Sequence, residues 1–219
     1  MQASLNCFPQ KQYKNLPGLD IEYRQIMTCV QADLLFDLLE KELVYLHGSF
    51  ACVRIFGRSF PIPRKHVAHG DAGLFYSFSG VTLPTKPWTP TLLSIKDLVS
   101  KATGYDYNYV LVNRYENGSQ SIGFHADDER EIDPAVPIAA LSLGQERPFI
   151  FKSNKQPHQS LTLKLASGSL LVMNSPTNDN YMHSLPKRKN ITKPRVSLTF
   201  RRIIGAPAAV CLLPKPEAE

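Results

Sequence analysis

Cysteine is scarce in this chain: four residues, at positions 7, 29, 52 and 211, with no C-x-x-C pair among them. Scattered thiols exclude a disulfide scaffold and a cysteine-rich zinc site, and they suit a reducing compartment. No run of about 18 apolar residues occurs, so no membrane-spanning helix is expected. The first nine residues lack a basic stretch followed by an apolar one, and they are not read as a secretory signal. No internal repeat is visible.

Acidic residues are missing where basic ones collect. Between Leu43 and Gly70 there is no Asp or Glu, against Arg54, Arg58, Arg64 and Lys65. Between Asn180 and Pro216 there is again none, against Lys187, Arg188, Lys189, Lys193, Arg195, Arg201, Arg202 and Lys215. The formal net charge of +6 is moderate, so its distribution says more than its size. Two cation-only stretches suit a polyanionic partner, because phosphate neutralisation supplies most non-specific nucleic-acid affinity. Simple solubility charge is the alternative for either stretch taken alone.

What is present fits one β-rich domain. A chain of 219 residues with 43% hydrophobic content can bury a real core. Residues 1–20 mix Pro, Gly, Lys and Gln and are expected to form an irregular arm; residues 205–219, with three prolines, a loose tail. Leu34, Leu35, Leu38, Leu39 and Leu43 recur at helical spacing, predicting a helix from Asp33 to about Leu46. Thr89-Pro90 is a cap followed by a first-turn proline, and Gly104 closes the helix it opens. Short strands are expected at Tyr107–Tyr115, Ile138–Leu143, Phe149–Lys152, Leu161–Leu165, Ser169–Met173, Tyr181–Leu185 and Arg195–Ile203. Seven strands separated by Gly, Pro and Asn favour a double-sheet jelly roll over an α/β fold.

The chemistry-bearing residues are His125, Asp127 and His183. One histidine, a carboxylate two residues on and a second histidine far downstream form a 2-His-1-carboxylate facial triad, which leaves open positions on an octahedral iron. In a strand, positions 125 and 127 would project from the same face and reach one metal. An H-x-D triplet alone is weak evidence, since most such triplets are surface loops. The sequence Arg195-Val-Ser-Leu-Thr-Phe-Arg201 adds weight. Val196, Leu198 and Phe200 alternate with Arg195, Ser197, Thr199 and Arg201, so one strand face is apolar and the other carries two guanidiniums. A guanidinium is a planar fork suited to a carboxylate, as a keto-diacid co-substrate would require. A basic strand edge that discourages aggregation is the alternative.

Asn113-Arg114-Tyr115, His125-x-Asp127-Asp128-Glu129, His183 and Arg195–Arg201 together resemble the AlkB family of iron(II)- and 2-oxoglutarate-dependent dealkylases. The duplex-DNA repair type is the most similar. The likeness runs from about Leu34 to Ile203, and Gly70–Gly80 and Asn174–Asn178 also match that type. It implies a mainly β, α+β fold: a double-stranded β-helix (jelly roll) at about 107–204, flanking N-terminal helices, and a nucleotide-recognition segment at about 50–85, all in one catalytic domain, 21–204.

The resemblance also implies the roles. Fe(II) would be held by His125, Asp127 and His183. Arg195, helped by Tyr115, would bind the distal carboxylate of 2-oxoglutarate, with Asn113, Ser197, Thr199 and Arg201 around the rest of it. Tyr76, Phe78, Ser79, Asp128 and Glu129 would receive the damaged base. Ile55-Phe56-Gly57 would be a wedge that fills the stack when a base is flipped, with Arg58, Arg64, Lys187, Arg188 and Lys189 on the backbone. Read without the family, Phe56 is better taken as the end of a strand Cys52–Phe56 with its ring in the core, as strand aromatics mostly pack inward, and Asp127–Asp133 could be a solvated acidic turn. The implied reaction is demethylation of 1-methyladenine and 3-methylcytosine in double-stranded DNA, consuming 2-oxoglutarate and O2 and releasing succinate, CO2 and formaldehyde.

The sequence departs from the family pattern in three places. Ser197 stands where Asn is usual, and Phe124 and Ala126 replace polar residues beside the iron histidine. An RNA or single-strand demethylase of the same chemistry, and a nucleic-acid-binding module without activity, are the competing readings. The sequence leaves protein partners open; a monomer is expected, acting in the nucleus of a eukaryote or otherwise in the cytoplasm.

Overall fold

The computed structural model describes residues 10–204 apart from 56, 57, 79, 80 and 157; for 54, 55, 75–78 and 81–84 it describes the backbone only. In chain order the elements are β1 (Gln10–Tyr13), β2 (Ile21–Gln25), α1 (Cys29–Glu42), β3 (Cys52–Ile55), β4 (Arg58–Pro61), β5 (Lys65–Gly70), β6 (Phe75–Phe78) and β7 (Val81–Pro84). There follow α2 (Pro90–Thr103), β8 (Tyr109–Tyr115), β9 (Ile122–His125), β10 (Ile138–Gly144), β11 (Arg147–Ser153), β12 (Ser160–Leu165) and β13 (Ser169–Met173). A helical turn α3 (Thr177–Asn180), β14 (Tyr181–Leu185) and β15 (Arg195–Arg201) complete the described chain.

From β8 onward the chain shuttles between two sheets. One has seven strands in the order β1-β2-β13-β10-β15-β8-β5, and the other four, β12-β11-β14-β9. Four strands of the first and all four of the second form the expected jelly roll, extended by β5 on one side and β2 and β1 on the other. Their pairings are antiparallel.

Both faces of the larger sheet are covered, and the two faces differ in chemistry. Val110, Val112, Leu141, Leu170, Val196, Leu198 and Phe200 pack outward against Ala32, Leu39 and Leu43 of the α1 region and Leu92, Ile95 and Val99 of α2. Burying each large apolar side chain there contributes about 1.5–3 kcal/mol relative to exposure. The alternate residues face the space between the sheets. Register places Tyr115 opposite Arg195, Asn113 opposite Ser197, Leu111 opposite Thr199 and Tyr109 opposite Arg201. A polar row is thereby threaded through an apolar sheet, as the period-2 reading of Arg195–Arg201 anticipates.

Several expectations are corrected. Helix α1 begins at Cys29, not Asp33, because Thr28 accepts from the backbone of Gln31 and the Gln31 side chain accepts from the Thr28 backbone. This capping box sits upstream of the leucine pattern. The arm expected to be irregular contributes β1, which pairs with β2 at the sheet edge. Strand β9 stops at His125, so Asp127 lies beyond it and reaches the same point from a turn. Strand β3 is described from Cys52 to Ile55, and Phe56 lies outside the described residues. Helix α2 is as expected: Thr89 caps it, accepting from Leu92, and Gly104 terminates it with φ 81°, a left-handed conformation that glycine adopts without strain.

Candidate metal centre and co-substrate pocket

Two segments of backbone converge on one point between the sheets. His125 ends β9, the edge strand, and lies directly opposite His183 of β14. Their rings meet edge-on at 4.3 Å between centroids. The nitrogen and oxygen donors of His125, Asp127 and His183 all lie within 4.8 Å of one another. His125 Nδ1 is 2.9 Å from the Gly123 carbonyl; with its proton donated there, Nε2 presents a lone pair toward Asp127 Oδ1, 3.7 Å away. Orientation of a ligand histidine by a backbone carbonyl is the usual support for metal binding.

Protonation suits the same role. Burial holds the His183 imidazole down at about 4, so it is neutral at physiological pH. Burial of Asp127 works to raise its carboxyl, but Arg201 above all, with His183 and His125, outweighs it and holds the group well below the usual carboxylate range. Arg201 Nη2 donates to Asp127 Oδ2 at 2.7 Å. A neutral His183 imidazole, an ionised Asp127 carboxylate and His125 oriented by the Gly123 carbonyl, on one side of a shared point, fit Fe(II) with open positions. Phe149 stacks on His183 at 5.1 Å between centroids, and the core ring of Phe151 meets it edge-on at 6.0 Å.

A cavity of about 80 Å³ adjoins the three donors, lined among others by Asn113, Tyr115, Arg195, Ser197, Thr199 and Arg201. Arg195 is the unusual member. It is 2% exposed, and among the described residues no carboxylate pairs with it. Its Nη2 donates to Ser142 Oγ at 2.9 Å and contacts Ser197 Oγ at 3.4 Å, while Nε has no partner. The Tyr115 ring lies 5.7 Å from its guanidinium. Burial pushes Arg195 down to about 10, which still leaves it charged at neutral pH. An uncompensated buried cation is costly, and a carboxylate entering the cavity would offset that cost.

The other expected residues divide. Asn113 accepts from Arg64 Nε at 2.8 Å, so Arg64, expected on the nucleic-acid face, turns its guanidinium toward this cavity. Glu129 lines the cavity, whereas Asp128 is exposed and lines a separate groove with Asn178. Lys187, Arg188 and Lys189 are exposed in the loop between β14 and β15, where they border a groove with Lys164. Arg58 is exposed on β4, paired with Ile55 of β3. Tyr76 and Phe78 belong to β6. Phe56, Gly57 and Ser79 lie outside the described residues.

Three further contributors were not singled out from sequence: Ser142, Phe149 and Arg147. Arg147, Phe149 and Phe151 alternate along β11, and that period-2 pattern was a readable signal. Arg147 is 1% exposed; it donates to the carbonyls of Asn117, Gln120 and Pro186, binding two loops beside the pocket.

Comparison with known proteins agrees with this geometry. The sequence profile of the 2OG-Fe(II) oxygenase superfamily matches residues 60–201. DNA oxidative demethylase ALKBH2 of Homo sapiens is 47% identical over 203 residues, covering 90% of this chain and 78% of that protein. The chain belongs to the AlkB family of 2OG-Fe(II) oxygenases. Within the AlkB family it is also similar to DNA oxidative demethylase ALKBH2 of Arabidopsis thaliana, 33% identical over 216 residues, 85% of this chain and 67% of that one. The solved structure of OsALKBH1 superposes with TM-score 0.57 and 16% identity, over 88% of this chain and all of that one, a likeness of fold. As an AlkB-family oxygenase the chain uses Fe(II), 2-oxoglutarate and O2.

Proposed function

We propose that this protein is a DNA repair enzyme that removes N-linked methyl groups from bases of double-stranded DNA, with 1-methyladenine and 3-methylcytosine as substrates. The observation that carries the chemistry is the buried, carboxylate-free Arg195 in the cavity that also receives His125, Asp127 and His183. Similarity to two DNA oxidative demethylases supports DNA as the substrate, and the basic stretches supply cations for its backbone.

Fe(II), with 2-oxoglutarate and O2, supplies the oxidation of the methyl group, and formaldehyde, succinate and CO2 leave as products. His125, Asp127 and His183 would hold the metal on one side and leave the other for reactants. Arg195, with Ser142 and Ser197 fixing its fork, would bind the far carboxylate of the keto-diacid. Arg201 keeps Asp127 ionised. Phe149, Ile122 and Leu185 line the cavity with apolar surface and exclude water, which strengthens each electrostatic contact inside it. The half-buried Glu129 at the same cavity would accept from the exocyclic amino group of adenine or cytosine, and its charge favours a base made cationic by ring methylation.

Among the described residues no helix is long and apolar enough to cross a membrane. The eukaryotic origin of the relatives supports action in a nucleus, and the chain is proposed to work as a monomer. Formaldehyde release from methylated duplex and single-stranded oligonucleotides, with and without iron(II), tests the function. Activity on duplex that disappears without iron and in His125→Ala, Asp127→Ala and His183→Ala is the expected result. No release from either DNA form with iron and 2-oxoglutarate supplied would overturn it.

A further inference from the structure

We infer that Phe124, with Lys152 and Met182 beside it, forms a shelf outside the cavity on which an unpaired nucleobase stacks, next to the base being repaired. The inference rests on the nucleic-acid reading above. Phe124 precedes the metal-site residue His125 in β9, and neighbours in a strand point to opposite faces. His125 faces the cavity, so Phe124 faces away from the sandwich, at its edge, with 45% of its surface in water. It belongs to none of the hydrophobic clusters among the described residues.

The neighbours of Phe124 make it more than a stray exposed ring. On the adjoining strands Met182 is paired in register with Lys152, and the Lys152 ammonium sits 5.8 Å from the Phe124 ring centroid. Aromatic face, thioether and ammonium thus follow one another across three strands. A ring and a methionine offer stacking surface, and the ammonium can meet the phosphate of the nucleotide whose base they hold. Met182 also borders the groove lined by Ala126, Asp128, Asn154, Asn178 and Asp179, whose carboxylates and amides offer acceptors to an amino-bearing base edge. Within a duplex both faces of a base are already stacked, so the shelf gains only from unpaired strand. The departure at Phe124 from the polar residue usual in the duplex-repair type fits an enzyme that also accepts single strands.

The test measures binding of the full chain to an unmethylated single-stranded oligonucleotide and to the duplex of the same sequence. Phe124→Ala should weaken single-strand binding by about 5- to 150-fold, the range expected for one lost base stack, and leave duplex binding within about twofold. Phe124→Trp should retain or improve single-strand binding, which a purely structural role would not give. Thermal stability should be unchanged for both variants, since the ring is half exposed. Unchanged single-strand affinity in Phe124→Ala, or equal loss on both forms, would overturn the shelf while leaving the repair function standing. A wild-type chain that binds neither form would overturn the nucleic-acid reading itself, and the shelf with it.

Discussion

Replacing Arg195 with methionine separates co-substrate binding from every other property of the protein. The side chain is 2% exposed, has no carboxylate partner among the described residues, and shares its donors with Ser142 and Ser197. Losing a charge-assisted bidentate contact costs about 1.5–3 kcal/mol, or about 10- to 150-fold in affinity for 2-oxoglutarate. The protein without ligand should respond differently. Burying an unpaired guanidinium is itself unfavourable, and methionine fills a similar path without a charge. Arg195→Met should therefore melt no lower than the wild type, while the rise in Tm that 2-oxoglutarate confers on the wild type is lost. Arg195→Lys should restore charge but not the fork, and recover only part of the affinity. Calorimetric titration of 2-oxoglutarate and of DNA, each alone, provides the measurement. Equal loss for the two ligands would place Arg195 on the phosphate-binding surface and refute the reasoning.

The metal-free protein should lose stability as the pH falls from about 6.5 to about 4, because the unfolded chain takes up protons that the buried His183 and His66, both held at about 4, and His69, also lowered by burial, refuse. Melting curves of the wild type and of His183→Gln across that range check this, and an equal loss of Tm in both would show that His183 is hydrated. Neutralising Lys187, Arg188 and Lys189 should weaken DNA binding regardless of sequence and flatten its log–log salt dependence by about one unit per lost phosphate contact; an unchanged slope would return this run to a solvated surface. Phe56→Ala should impair repair of a lesion in duplex and spare the same lesion in a single strand, if the ring fills the gap left by a flipped base. A stable variant equally active on both forms would defeat the wedge, whereas a core role would cost about 3–5 kcal/mol of stability and hurt both alike.

The polar half of the site was legible because strand alternation exposes it: in Arg195–Arg201 the apolar and polar sets separate cleanly, and the structure keeps them on opposite faces. Helix α2 was legible from its caps. Strand β5 was not, because Lys65-His-Val-Ala-His-Gly70 is buried at nearly every position and shows no alternation. The start of α1 was missed because its cap lies upstream of the leucines. Asp127 was placed in a strand because spacing alone cannot tell a strand from a turn that returns to the same point. Ser142 carried no signal of its own: a serine in an apolar strand gains meaning only when register sets it opposite Ser197.

That register has a consequence for folding. A slip of one residue between β15 and its neighbours would turn Arg195, Ser197, Thr199 and Arg201 into the helix-covered layer and expel Val196, Leu198 and Phe200 into the cavity. No misaligned molecule could keep either its core or its ligand. A rise in Tm with 2-oxoglutarate would therefore report correctly threaded chains, since the proposed carboxylate site at Arg195 exists only in this register.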